Sequence, residues 1–259
     1  MLRAVAAAPR GETPRGAAHG EGRISMNTES IFTPAIDASA EDRSAFLRRT
    51  AAWTLGGLAL TSVVAAFSTF TIAPALLRLH WLVALAAIYG SFFFAQTVAR
   101  GMVYGGAKVA GFVLGAAAQG IALGFLLFVA LATTGTFAQG LEIIGYALAM
   151  TVLASLAMLM FVTIEKRDFS LLRAGLAMLG IPMLVLMGLQ VVFPIGGTFG
   201  LVISAVFVLV AAGSMLWKLN FVVHEMATTM AAEAGYELTL GVVVLFWNLL
   251  SLLLRLRRR

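Results

Sequence analysis

Residues 143–172 read IIGYALAMTVLASLAMLMFVTI-EKRDFSLL: 22 residues without a formal charge, then Glu165-Lys166-Arg167-Asp168 in unbroken succession. A helix that crosses the hydrocarbon core of a bilayer needs about 20 predominantly apolar residues. The first part of this stretch meets that requirement, and the charged turn after it marks a return to water. The same alternation repeats on both sides. Between Ala51 and Leu254 there are only 13 charged residues, gathered in short clusters. They separate seven apolar runs, at 51–73, 81–99, 109–134, 143–164, 174–195, 198–217 and 239–254. Pro74 and Arg78 follow the first run, and Pro194-Ile195-Gly196-Gly197 makes a hairpin after the fifth. The last run holds 16 residues, so a span there has to be short, tilted or incomplete. The expected fold is all-α and integral to the membrane, a seven-transmembrane helix bundle.

Composition supports this reading and closes others. The chain is 61% hydrophobic and 12% charged, against roughly 45–50% and about 25% in soluble domains. It has no cysteine, which excludes a disulfide framework, a thiolate metal site and a thiol nucleophile. The net charge of +6 is scattered between apolar runs and forms no basic, aromatic-interleaved patch that would follow phosphates. A nucleic-acid partner is therefore not expected, and the lipid bilayer is. Residues 1–46, rich in Ala, Gly, Arg and Pro, offer no apolar periodicity and read as a disordered lead. Met26 is the expected start, and 47–259 the transmembrane domain.

Orientation follows from Lys and Arg near the run ends. With the N-terminus inside, the inner side holds Arg43, Arg48, Arg49, Arg100, Lys108, Lys166, Arg167, Arg173 and Lys218, and the outer loops hold Arg78 alone. The C-terminal Arg255, Arg257, Arg258 and Arg259 run against this count. A seventh crossing leaves them outside, whereas a re-entrant last segment returns them inside.

Catalytic constellations are missing from the runs: no HExxH, no GxSxG with a distant partner, no paired aspartates, and no glycine-rich phosphate loop followed by Lys-Ser/Thr. No metal or cofactor is expected. The in-run polar residues Gln96, Gln119, Thr151, Gln190, Ser204, Ser214, Asn248 and Ser251 suit hydrogen bonding between helices. Gly111, Gly115, Gly120 and Gly124 suit close helix packing, within the chain or between copies. Lys218 ends the sixth run, near His224, Glu225, Glu233 and Glu237. It either snorkels to the interface or forms a buried latch with an acid. Glu225 lies seven residues on, along the same face of a continued helix.

Four segments carry a family resemblance. Thr163-Ile164-Glu165-Lys166-Arg167-Asp168-Phe169-Ser170-Leu171-Leu172 resembles the "T-x-x-K-R-D-F-S-F-L" signature of the Bax inhibitor-1/YccA family. Phe46-Leu47-Arg48-Arg49-Thr50 is similar to its "F-L-R-K-T-Y" entry to the first span. Glu233-Ala234-Gly235-Tyr236 is similar to its "G-G-E-T-N-Y", and Asn248-Leu249-Leu250-Ser251-Leu252-Leu253 to its terminal "N-L-F-x-x-L-L". Lys166, Arg167, Asp168, Phe169 and Ser170 are the most specific part.

The resemblance implies a last helix placed centrally among six others. It also implies a link to a pH-sensitive calcium leak, to suppression of cell death, and in bacteria to a membrane-anchored AAA protease. The leak of the family is attributed to two aspartates, in "L-Y-D-T-Q" and "L-Y-L-D-x-x-N". Here the first motif reads Leu216-Trp217-Lys218-Leu219-Asn220, and counting three back from Asn248 gives Leu245. Lys218, Glu225, Leu245 and Asn248 are thus the candidate latch at the place of the acidic pair. The expected function is a non-enzymatic regulator of membrane proteostasis or stress in a bacterial inner membrane, with the N-terminus cytoplasmic. The alternative is a pH-sensitive cation leak.

Overall fold

Ser39 starts the first helix. Its hydroxyl oxygen accepts a hydrogen bond from the Asp42 backbone N–H at 3.1 Å, and its O–H donates to Asp42 Oδ2 at 2.7 Å. Glu41 and Asp42 add negative charge to the first turn, where the helix dipole favours it. The computed structural model describes residues 34–76, 81–164 (the backbone alone over 81–88), 172, 174–179, 182–183, 185–186 and 197–257. Its helices are α1 (Ala40–Phe70), the short α2 (Ile72–Leu76), α3 (Trp81–Tyr104), α4 (Lys108–Thr133), α5 (Phe137–Ile164), α6 (Gly197–Asn220) and α7 (Ala231–Arg257). A π-helical turn, Phe221–Glu225, extends α6. Among the described residues no strand forms, and Pro34 and Ala227 make an isolated antiparallel bridge.

Five of these helices are long and apolar enough to cross a membrane: α1, α4, α5, α6 with its π-helical extension, and α7. Seven runs were expected. The run 81–99 falls within the 24-residue α3, and most of the run 174–195 lies outside the described residues. The protein is an integral membrane protein of apolar helices. Leu55, Phe94, Leu153 and Ile164 are each at least two-thirds exposed, a liability in water and the ordinary state of side chains facing acyl chains.

Several boundaries differ from expectation. Ordered structure begins ahead of residue 46: the Ala35 N–H donates to the Met226 carbonyl at 2.9 Å, and Ala35, Phe46 and Met226 share one apolar cluster. The expected start at Met26 lies outside the described residues. The largest difference is at the C-terminal end. Instead of a 16-residue segment, α7 has 27 residues, a length of about 40 Å. It runs through the whole depth of the bundle. Its first turns meet the end of α3 and the start of α4 through Arg100 and Lys108. Its last turn meets the starts of α6 and α5, where Arg255 and Arg257 donate to the carbonyls of Gly200 and Gln139. It is one continuous helix, long and apolar enough to cross a membrane.

The last helix is also central, as α7 packs on α1, α3, α4, α5 and α6. The glycines of α4 bring its neighbours close. A Cβ built on Gly111 would stand 2.7 Å from the Ala99 carbonyl oxygen of α3. On Gly120 it would stand 2.7 Å from the Thr61 carbonyl oxygen of α1. Both ridges are therefore engaged within the chain, which decides between the two expected uses of this stripe. In the turn between α3 and α4, Gly106 has φ 102°, a region that side-chain-bearing residues rarely adopt.

Candidate functional site

Where α3, α4, α6 and α7 meet, five charged residues come together: Arg100, Lys108, Lys218, Glu233 and Glu237. Glu233 and Glu237 lie four residues apart on α7, so their side chains share one face. Glu237 is held from two directions: Oε1 is 2.9 Å from Arg100 Nη2, and Oε2 is 3.0 Å from Lys218 Nζ. Lys218 also donates to the Glu237 carbonyl at 3.4 Å. One turn earlier, Glu233 Oε1 is 2.7 Å from Lys108 Nζ. Two carboxylates thus face three cations.

Between the two acids, Tyr236 turns its ring against Gly115 of α4, where a Cβ would leave no room. Its hydroxyl donates to Gln96 Oε1, and Gln96 Nε2 donates to the Gly115 carbonyl at 3.0 Å. Gln96 and Arg100 are one turn apart on α3, so both reach α7 from the same face. The rings of Trp53, Phe112 and Tyr236 stack edge to face around this centre, with centroids 4.8 and 6.4 Å apart.

The sequence-derived latch is rearranged here. Lys218 pairs with a glutamate, but with Glu237, whereas Glu225 is exposed. The reason is local. The π-helical turn ends at Glu225, and Met226 adopts extended backbone, so the face expected to carry both residues is broken. Leu245 is buried against Ala211 and Leu249 on the α6–α7 face, away from Lys218. The residue of α7 opposite Lys218 is Gly241, whose Cβ position lies 3.5 Å from Lys218 Cδ. Asn248 Nδ2 donates to the Val244 carbonyl of its own helix. The structure thus does not bring Lys218, Glu225, Leu245 and Asn248 together. The signature residues Lys166, Arg167, Asp168, Phe169 and Ser170 lie outside the described residues.

Of the polar residues inside the runs, Gln96 joins two helices, while Thr151, Ser204 and Asn248 bond back into their own. Gln119 does neither. It is buried, both atoms of its amide lack partners, and it lines an apolar cavity of about 320 Å³ with Asn248, Tyr89 and Trp247. Among the described residues no group of three His, Asp or Glu side chains converges to hold a metal ion. The charged centre thus joins α3, α4 and α6 to α7 through three ion pairs, while Glu233 Oε2 is buried without a partner.

The family described as "Inhibitor of apoptosis-promoting Bax1" matches residues 43–259. A "Golgi anti-apoptotic protein" of Vaccinia virus (strain Lister) is 33% identical over 123 residues, which is 48% of this chain and 51% of the viral protein. Proteins of the same description from strains LC16m0 and LC16m8 match to the same extent. The chain spans about half the length of these curated relatives. No solved structure matches it.

Proposed function

The chain belongs to the family of inhibitors of apoptosis-promoting Bax1, and from that premise we propose that it is a non-enzymatic regulator of membrane proteostasis or stress. It acts through helix contacts with other membrane proteins, a membrane-anchored AAA protease among them. One observation carries this reading over its alternative, a pH-sensitive cation leak. Calcium takes six to eight oxygen ligands, whereas three of the four carboxylate oxygens of α7 at the charged centre are held by Lys108, Arg100 and Lys218, which leaves Glu233 Oε2 alone without a partner. The surplus cation repels a divalent ion besides. The viral relatives' description, an anti-apoptotic protein of the Golgi, supports a role in which stress signals are restrained from an internal or inner membrane.

Two measurements test this. Calcium flux into vesicles reconstituted with the purified protein should not exceed that of empty vesicles at acidic or neutral pH. A robust acid-stimulated flux would instead establish the leak. Affinity purification from membranes should recover the AAA protease complex with the full-length chain, and recovery equal to that with an unrelated seven-helix protein would remove the protease from the proposal.

The proposed topology places residues 34–50 in the cytoplasm of a bacterial cell, with seven crossings. Its support is the Lys and Arg distribution and the grouping of Arg100, Lys108 and Lys218 at one end of the bundle. Reporter fusions after Lys108 and after Arg173 should score cytoplasmic, and fusions after Ala138 and after Arg259 should score outside. A cytoplasmic score after Ala138 would overturn this arrangement.

A further inference from the structure

Ahead of α1, residues 34–38 lie against the connection between α6 and α7. The Ala35 N–H donates to the Met226 carbonyl at 2.9 Å, and Pro34 stands opposite Ala227 in the antiparallel bridge. The Asp37 N–H donates to the Pro34 carbonyl at 3.0 Å, which folds the segment into a turn. Ala35 is fully buried, enclosed by Phe46, Val222, Met226, Ala231 and Ala234, while Ile36 and Asp37 beside it are exposed. The connection that this segment meets is irregular. The π-helical turn closes with the Met226 N–H on the Phe221 carbonyl at 3.0 Å, a geometry that is rare in proteins and frequent at functional sites. Asn220, just before the turn, and Glu233, in the first turn of α7, are 5% and 3% exposed. Yet Asn220 Oδ1 and Glu233 Oε2 have no hydrogen-bond partner. Buried, unpaired oxygens thus stand at both ends of the connection.

We propose that residues 34–38 are a clasp that holds the π-helical turn and the first turn of α7 in a closed state, and that its opening brings Glu233 to water. The closed state leaves two buried oxygens unpaired, and each carries the cost of its lost hydration. Against that cost stand one backbone hydrogen bond from the clasp and the burial of the Ala35 methyl group. Terminal helical turns are the parts of a fold that open most easily. Ala231 and Ala234, which enclose Ala35, stand on either side of Glu233 in sequence, so releasing Ala35 removes packing from that turn. Lys108, whose side chain is 41% exposed, follows the Glu233 carboxylate into water. The charged centre then keeps Glu237 with Arg100 and Lys218 and loses its ion pair to α4. Ile36 and Asp37 present the clasp to other molecules. One that binds the released segment shifts the two states towards the open one, because its affinity differs between them.

The test uses the full-length chain in a mild detergent, with hydrogen–deuterium exchange read by mass spectrometry. Ala35→Asp places a charge in the apolar cluster. It should speed exchange of the amides in 226–236 by roughly ten-fold, the factor that goes with one lost backbone hydrogen bond. Ile36→Asp carries the same charge at an exposed position and should leave 226–236 as in the unaltered chain. Ala232→Cys, next to Glu233 and buried in the closed state, should react with a maleimide faster beside Ala35→Asp than beside Ile36→Asp. A further variant compares two states of one molecule. Opposed residues of an antiparallel pair have Cα atoms about 4.5–5.5 Å apart, within the span of a disulfide, and the chain has no cysteine to compete. Pro34→Cys with Ala227→Cys, once oxidised, should exchange 226–236 more slowly than the unaltered chain, and reduction should restore the faster rate. Equal rates in the oxidised and reduced forms overturn the proposal, whether or not Ala35→Asp folds. So does exchange in Ala35→Asp that rises as much in α4 and α5 as in 226–236, since Ala35 would then be a structural contact of the whole bundle.

Discussion

Gly120→Val should leave little correctly folded protein, while Gly145→Val should leave it nearly unchanged. Both glycines sit in helix interiors, and both substitutions carry the same helix propensity. They differ in what the new side chain meets. At Gly120 the first carbon would stand 2.6 Å from Val64 Cβ and 2.7 Å from the Thr61 carbonyl oxygen, and at Gly145 no atom of the described residues lies within 4 Å. Backbone cannot yield as a flexible side chain does, so α4 has to move away from α1. That movement strains three bonds that join the two helices: Thr61 to the Ala116 carbonyl at 3.2 Å, Ser68 to Ile121 at 3.1 Å, and Thr69 to Gly124 at 3.1 Å. Overpacking costs roughly 1–3 kcal/mol, and each interhelical bond lost adds about 0.6 kcal/mol. Among the described elements the α1–α4 contact is the most extensive, so the loss falls on the centre of the bundle. The fraction of monodisperse protein after detergent extraction, and its thermal midpoint, measure the effect. Equal behaviour of the two variants would show that the ridge of α4 is not what holds α1.

The helical, membrane-embedded character of the chain is legible in the sequence because it rests on charge spacing alone. Run 109–134 and helix Lys108–Thr133 agree to within a residue, since Lys108 bounds one end and a Thr-Thr-Gly turn the other. Agreement fails where polar residues are neutralised by tertiary contacts. The charge spacing starts the last run at residue 239 because Glu233 and Glu237 look like an aqueous loop. Inside the bundle both are paired with cations from α3, α4 and α6, and the helix starts eight residues earlier, at Ala231. The charge spacing also starts the fourth run at residue 143, after Glu142, whose exposed carboxylate needs no tertiary partner. Glu142 lies within α5, accepting a hydrogen bond from the Tyr146 hydroxyl at 3.0 Å.

The charged centre was half legible. Lys218 stands out as a lone cation at the end of an apolar run, and its neighbourhood of acids was visible. Its partner was not, because the choice of Glu225 assumed an unbroken helix through residues 218–225, and no glycine or proline signals the π-helical turn there. A signal that favours the observed partner was present in the spacing. Glu233 and Glu237 at i and i+4, with Tyr236 between them, place two acids and a hydrogen-bonding ring on neighbouring faces of one helix. Gln96 and Arg100 at i and i+4 on α3 present the matching groups. That the two faces meet is tertiary information, set by the fit of the Tyr236 ring against Gly115.

Glu237→Ala should destabilise the protein by about 3–5 kcal/mol, the usual cost of removing one member of a buried ion pair. The cause is the cation left behind. The Lys218 side chain is 14% exposed, and without the carboxylate it has neither water nor a counter-charge around it. Arg100 shares the same carboxylate, but its side chain is 55% exposed, so it can turn into water. Exposed pairs contribute only about 0–1 kcal/mol, and Arg100→Ala should cost no more than that. This asymmetry yields a sharper test than the single variant. Replacing both buried members by apolar residues, Lys218→Met with Glu237→Leu, removes the stranded charge, and such replacements are often neutral or stabilising. The double variant should therefore recover most of the stability lost in Glu237→Ala, with Arg100 free to hydrate. Thermal midpoints of the detergent-solubilised proteins, assembled into a double-mutant cycle, report each step. If Arg100→Ala is as damaging as Glu237→Ala, or the apolar pair rescues nothing, then Lys218 is not held by Glu237. The carboxylate would then be free to accept other cations, and the preference for a regulator over a cation leak would lose its main support.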